Sequence, residues 1–409
     1  MGIIKAADIL LPTVAEMGKW SVIACDQFTS DKAYWEETRR IVGDAPSTLH
    51  MILPEALMGS AEAEVARESV SGYMQRYLRG NLFRELRDSF VSVERRFEDG
   101  TVRHGIVAAV DLDAYEYKPE KEAAIKATEH TVEERLWKRI ELRETAVLEL
   151  PHVLVFYEDP EGLVEKEIRA RKDELPPEYD FELMQGGGHI RGRAISGEKA
   201  RDLEKLLNEP FGSGHRGAVL AVGDGNHSLA TAKLCWERMK AGLSEEEKRT
   251  HKARFALVEL VNLYDGGIHI EPIHRVISGT DVSGFAAYAE KVFRTIGRDG
   301  AERAVTVGTG SGGRTLQVSG LSAAQTVEAA DQMLAAYIKD HGGAVDYIHD
   351  EASAVETGSR PGSAYILLPA VEKEDIFDVV RRKELFPKKC FSIGNAREKR
   401  YYLECRTIR

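Results

Sequence analysis

Gly217-Ala218-Val219-Leu220-Ala221-Val222-Gly223-Asp224-Gly225-Asn226-His227-Ser228 is an apolar run ending in a glycine-flanked turn, and a helical pattern follows from Leu229 to Met239. Strand, glycine loop and helix start form a layout that turns backbone N–H groups towards an anion. Glycine at 223 and 225 allows a sharp turn, because glycine adopts positive φ without steric cost. The same loop carries the Asp224 carboxylate, the Asn226 amide, the His227 imidazole and the Ser228 hydroxyl. On this reading Gly223, Gly225, Asn226 and Ser228 bind a phosphate or carboxylate, while Asp224 and His227 carry the proton chemistry. The competing reading makes Asp224 or Asn226 an ordinary helix cap in a strand-to-helix turn. Local sequence weighs the two equally.

Working outward, Leu229, Ala232, Trp236 and Met239 recur at helical spacing and give the helix one apolar face. Before the loop, strand-like runs at 20–24, 48–53 and 105–112 mix with an amphipathic helical stretch over 61–90, and Asp99-Gly100 reads as a hairpin turn. After it, a strand over 254–265, the turn Asp265-Gly266-Gly267 and a strand over 268–277 predict a second hairpin. The last part predicts two strands around 308–313, a helix over 323–338 and a final strand over 400–407. Strands and helices alternate without a clean βαβ rhythm, so the expected class is α+β, a mixed α/β chain of several domains. The expected regions are 1–165 (N-terminal, mixed), 166–297 (central, with the glycine loop) and 298–409 (C-terminal).

With 409 residues the chain is too long for one ordinary core. A net charge of −11 argues against a protein that coats nucleic acid. The cysteines, Cys25, Cys235, Cys390 and Cys405, form no C-x-x-C pair, which suits a reducing cytoplasm. No basic-then-apolar leader opens the sequence and no apolar run reaches membrane length. The expectation is a cytoplasmic protein without membrane or nucleic-acid partners, with homo-oligomerisation left open.

Further polar groups accompany the loop. Arg135, Arg139 and Arg143 share a helix face suited to bidentate capture of an anion, and Glu129 sits just ahead as a base candidate. A mixed-charge helix is more often a solvated face laced with ion pairs. His269, Glu271, His274 and Arg275 lie close together, but their spacing matches no common zinc pattern; His274 and Arg275 are read as substrate-binding groups, and a metal site stays unknown. Lys388 precedes an aromatic in the tail and is read as closing over an anion, against the default of an exposed basic turn. Cys25-Asp26-Gln27 places a carboxylate where it can reach a neighbouring site, with nothing nearby to activate the thiol. No Walker A loop is present, and Gly308 to Gly313 leads into a strand, so it is no dinucleotide fingerprint.

Several stretches together carry a resemblance that runs nearly end to end: 24–27 with 47–50, 127–131, 223–233, 272–275 and 388–404. The chain resembles the bacterial and archaeal family called domain of unknown function 1015 (DUF1015). Much of that family has Asp-Gly-His-His-Arg where this chain has Asp224-Gly225-Asn226-His227-Ser228, so one histidine and the arginine are replaced. The family motif is in turn similar to the phosphate-binding motif of the ParB and sulfiredoxin-like superfamily, which includes partition proteins, sulfiredoxins and free-serine kinases. That likeness covers the central segment alone. Genes of the family often lie beside those of phosphoserine-pathway enzymes.

The resemblance implies an enzyme acting on a phosphorylated small metabolite, with kinase-like serine or phosphoserine phosphotransfer first and a phosphoserine phosphatase as the alternative. It implies Mg2+ and a nucleotide, ATP or ADP, as cofactors, and Arg135 or Arg275 as replacement for the missing arginine. A nucleotide-responsive regulatory protein is the reading from another class. It lacks the basic DNA-reading helix that would support it.

Overall fold

In the computed structural model, which describes residues 2–29, 31–57, 61–131, 136–212, 218–297 and 299–409, burial is nearly continuous along the central strands, and successive side chains enter different cores. Ile106, Ala108 and Val110 pack into one hydrophobic cluster, and Val107 and Ala109 into another. Phe90 and Val91 divide in the same way, as do Val258 and Leu257. Side chains alternate across a strand, so a sheet apolar at every position must be covered on both faces.

The chain splits into two units, Met1–Ile268 with Asn395–Arg409, and His269–Gly394. The first holds an eleven-stranded mixed sheet. Its main path runs Tyr115–Glu116, Ile125–Ala127, Leu220–Asp224, Leu154–Tyr157, Phe255–Asn262, Val102–Asp111, Phe83–Arg96, His189–Ile195 and Pro177–Glu182. Ile4–Lys5 and Ala7–Pro12 add to it on Val102–Asp111 and Phe83–Arg96. Leu220–Asp224 runs parallel to Ile125–Ala127 and antiparallel to Leu154–Tyr157. The second unit is a five-stranded antiparallel sheet with helices Phe285–Ile296, Ala323–His341, Glu351–Gly358 and Lys373–Arg381. The class is α+β.

The three-region division differs from this arrangement. Strands from 1–165 and 166–297 interleave in one sheet, so the central segment has no core of its own, and residues 395–409 return to the first unit. The hairpin expected around Asp265-Gly266-Gly267 does not form. Phe255–Asn262 already has Val102–Asp111 on one edge and Leu154–Tyr157 on the other, so it has no free edge for a following strand. The turn, held by the Asp265 carboxylate accepting from Gly267 N–H at 2.8 Å, instead leads out of the unit. Residues 48–51 form a 3-10 turn rather than a strand. The long helix stops at Arg79, where Asn81 with φ 52° breaks it and the strand Phe83–Arg96 begins. The Asp99-Gly100 hairpin turn and the hairpin over Glu302–Thr309 and Gly312–Ser319 form as expected.

Gly223 is required by contact rather than by φ. A Cβ there would lie 2.4 Å from the Phe156 ring, which is fully buried in the neighbouring strand. Gly223→Ala is therefore expected to cost about 1–3 kcal/mol through overpacking, read as a lower urea midpoint. An unchanged midpoint would show that Phe156 rotates aside and that the position is permissive.

Candidate functional site

The loop is built by one strand end and one helix start. Leu220–Asp224 shifts register against Leu154–Tyr157 between Val222 and Asp224, and Gly225 then turns the chain at φ 81° into the helix Asn226–Lys240. No side chain caps this helix; the Gly225 carbonyl accepts from Ser228 and Leu229 N–H at 3.0 and 3.1 Å. The N–H groups that open a helix lack intrahelical acceptors and carry its positive dipole end. Asn226 is buried and ties the loop to the parallel strand. Its Oδ1 accepts from Thr128 N–H at 3.2 Å, its Nδ2 donates to Thr128 Oγ1 at 3.3 Å, and the Thr128 hydroxyl donates to the Val222 carbonyl at 2.6 Å.

Around this loop the tertiary fold gathers a polar cluster. Ser228 Oγ lies 3.2 Å from His152 Nε2, and His152 Nδ1 lies 2.9 Å from the Tyr402 hydroxyl. Tyr402 OH donates to Cys25 Sγ at 3.1 Å and accepts from Cys25 N–H at 3.3 Å. Asp26 Oδ2 is 3.7 Å from His152 Nε2, and Lys399 Nζ is 3.3 Å from Asp224 Oδ2. Backbone pairing makes this possible: Ala24 N–H donates to the Arg400 carbonyl at 2.9 Å and Tyr402 N–H to the Val22 carbonyl at 2.7 Å. The C-terminal segment thus lies along residues 22–24 and presents Lys399 and Tyr402 on either side of it.

Electrostatics follow from this packing. Burial works to raise the Asp26 carboxyl, but His152 beside it when protonated, with Gln27 and Lys399, outweighs it and holds the group below its ordinary range. Burial and the neighbouring Asp26 charge push the Cys25 thiol up to about 11, so it stays protonated and is no nucleophile near neutral pH. Burial also keeps the Tyr402 phenol protonated.

The residues singled out in the sequence are not all here. Asp224, Gly225, Asn226, His227 and Ser228 share the loop, with His227 half-buried and its carbonyl accepting from Thr231 Oγ1 at 2.7 Å. Glu129 is half-buried directly after Thr128, whose backbone meets Asn226. Arg135 lies outside the described residues. Arg139 is ion-paired with Glu55, whose backbone N–H donates to the Cys25 carbonyl at 2.7 Å. Arg143 pairs at 2.6 Å with the buried Glu149.

His274, Arg275 and Lys388 belong to the second unit. The Arg275 guanidinium is fully buried there and engaged by Asp331 at 2.6 Å and by the Ile273 and Lys389 carbonyls at 2.7 and 2.9 Å. In this structure the guanidinium expected as a replacement cation is engaged by groups of its own unit. His274 Nδ1 accepts from Leu368 N–H at 3.2 Å. Lys388 stands in an exposed turn. Among the described residues no three His, Cys, Asp or Glu side chains group as metal ligands. A cavity of about 260 Å³ lies along the later part of the loop helix, lined in part by Trp236, Arg143 and Arg238, with no loop residue among its walls.

Sequence reading missed His152, Lys399 and Tyr402. The tail had a signal, since 388–404 carries part of the family resemblance, but His152 sits between apolar residues with no pattern to mark it.

A mixed sheet bearing a glycine loop with a polar cluster against it defines the class of this protein. The chain belongs to the family described as "Protein of unknown function (DUF1015)", whose sequence pattern matches residues 8–355. No curated protein matches it. Among solved structures it is similar to a free serine kinase in complex with AMP, at 12% identity and a TM-score of 0.40 over 77% of this chain and 95% of that one. A conserved hypothetical protein from Pyrococcus furiosus aligns at 14% identity and 0.33 over 73% and 90%. SbnI from Staphylococcus aureus aligns at 11% and 0.34 over 71% and 83%. Among the described residues no helix is long and apolar enough to cross a membrane.

Proposed function

We propose that the first unit catalyses phosphoryl transfer to or from the hydroxyl of a small anionic metabolite, with serine and phosphoserine as the first pair. One observation carries this reading: a histidine, two carboxylates and a lysine meet at the uncapped start of the Asn226–Lys240 helix. Phosphoryl transfer asks for positioning and charge stabilisation more than for covalent machinery. The opening N–H groups of the helix and the Lys399 ammonium serve the phosphoryl oxygens, and His152 moves the proton.

Magnesium is commonly held by one or two carboxylates together with substrate phosphates. Asp26 and Asp224, both under the charge of Lys399, are the residues that would hold it and supply charge neutralisation. The donor, ATP or ADP, is the variable in the experiment.

Phosphorus NMR tests the reading on the full chain with magnesium, serine and either nucleotide, beside a tube with phosphoserine alone. New phosphoserine in the first tube is the expected result. Free phosphate in the second would make the enzyme a phosphatase. Silence in both, with a melting temperature raised by nucleotide, would replace the enzyme by a nucleotide-responsive binding protein.

A further inference from the structure

The hydrogen bonds around His152 fix more than its position. Tyr402 spends its one proton on Cys25 Sγ, 3.1 Å away, and its oxygen also accepts the Cys25 N–H. Facing that oxygen at 2.9 Å, His152 Nδ1 is then the donor, so its N–H points to Tyr402. In the neutral imidazole Nε2 then carries the lone pair, and the Ser228 hydroxyl faces it at 3.2 Å. A nucleophile within reach of a base, and a base oriented by a third group, is the arrangement that activates a serine. Asp26, 3.7 Å from the same Nε2, supplies the negative charge that stabilises an imidazolium once the proton has moved. Cys25 has a part in this without reacting: its sulfur accepts from Tyr402 at 3.1 Å and so sets the tautomer. Ser228 itself is half-buried, in the first turn of the helix.

We propose that Ser228 is a covalent nucleophile, which carries the phosphoryl group between donor and acceptor. The proposal rests on the phosphotransfer reading above and adds a step to it. In the first half-reaction the Ser228 Oγ–P bond forms, the bond from phosphorus to the donor's leaving group breaks, and the Ser228 proton passes to His152 Nε2. In the second, the bond from the acceptor oxygen to phosphorus forms, the Ser228 Oγ–P bond breaks, Oγ takes back the proton held on His152, and the acceptor hydroxyl's proton leaves to water. The enzyme follows a two-stage, ping-pong course.

Two phosphorylating probes that need no knowledge of the natural substrate test this on the full chain. Diisopropyl fluorophosphate transfers its phosphoryl group with loss of fluoride, and acetyl phosphate does so with loss of acetate. Intact-mass and peptide mass spectrometry are expected to find one adduct, on Ser228, absent from Ser228→Ala. His152→Gln is expected to slow labelling roughly 100- to 10,000-fold, the usual contribution of a positioned base. Tyr402→Phe, which removes the tautomer-setting hydroxyl, is expected to slow it less while leaving the far-ultraviolet circular dichroism unchanged. No adduct on Ser228 from either probe, or labelling as fast in His152→Gln as in the wild type, overturns the proposal. Turnover in the NMR assay with Ser228 unlabelled would retain phosphotransfer and discard the covalent step. Labelled Ser228 without serine turnover would retain the nucleophile and discard the substrate.

Discussion

Asp224→Asn is expected to lower turnover by at least about 100-fold, the scale of losing one preorganised charge at a reacting centre, while the protein stays folded. The substitution isolates charge from shape. Asp224 Oδ1 accepts the Gly225 N–H at 2.9 Å, and the asparagine oxygen can do the same, so the turn into the helix survives. The lost part is the negative charge 3.3 Å from Lys399 Nζ and the carboxylate available to a cation. The Lys399 side chain is only 9% exposed, so its unpairing costs stability, about 1–2 kcal/mol on the scale of a charged hydrogen bond. Asp26, whose carboxyl also feels Lys399, limits that cost. Rate and melting temperature should be measured on the same preparation. Full activity in Asp224→Asn would remove the loop carboxylate from the mechanism.

Arg400→Met is expected to destabilise the chain by about 3–5 kcal/mol, the scale of breaking a buried ion pair from one side. Arg400 bridges Glu259 and Glu404, and all three side chains are at most 2% exposed. Tyr179 OH donates to the other Glu404 oxygen at 2.5 Å, and Arg103 Nε stands 3.8 Å from Glu259. Burial works to strip the proton from Arg400, but the two carboxylates outweigh it and keep the guanidinium charged. With methionine in its place, Glu259 and Glu404 face each other's charge without their shared cation. Urea unfolding would show the loss, and replacing both glutamates by glutamine in the Arg400→Met background should recover part of it. A midpoint close to wild type would mean that Arg103 alone neutralises the pair. Activity should fall as well, because Arg400 sits between Lys399 and Tyr402 and anchors the segment that delivers both to the loop.

The central strand, the glycine turn and the helix after it were legible because each is decided by neighbours in sequence. Gly225 alone can take φ 81° there without strain, and Gly223 alone leaves room for Phe156. The Asp265 turn was legible as a turn but not as an exit from the unit, since sequence does not show that both edges of Phe255–Asn262 are already paired. The partners of Arg139 and Arg275 were illegible for the same reason: Glu55 and Asp331, which hold them, are distant in sequence.

By itself the sequence determined an α+β chain in the DUF1015 family with one glycine loop rich in polar side chains, because period, turn chemistry and motif are local properties. Tertiary structure alone decided what that loop works with. His152 lies 76 residues from Ser228 along the chain, and Tyr402 lies 250 residues from His152, and the two meet because a buried ion cluster pins the C-terminal segment beside residues 22–24. Contacts at such separations repay their loop-closure entropy only through burial of the whole unit, and no local pattern records them.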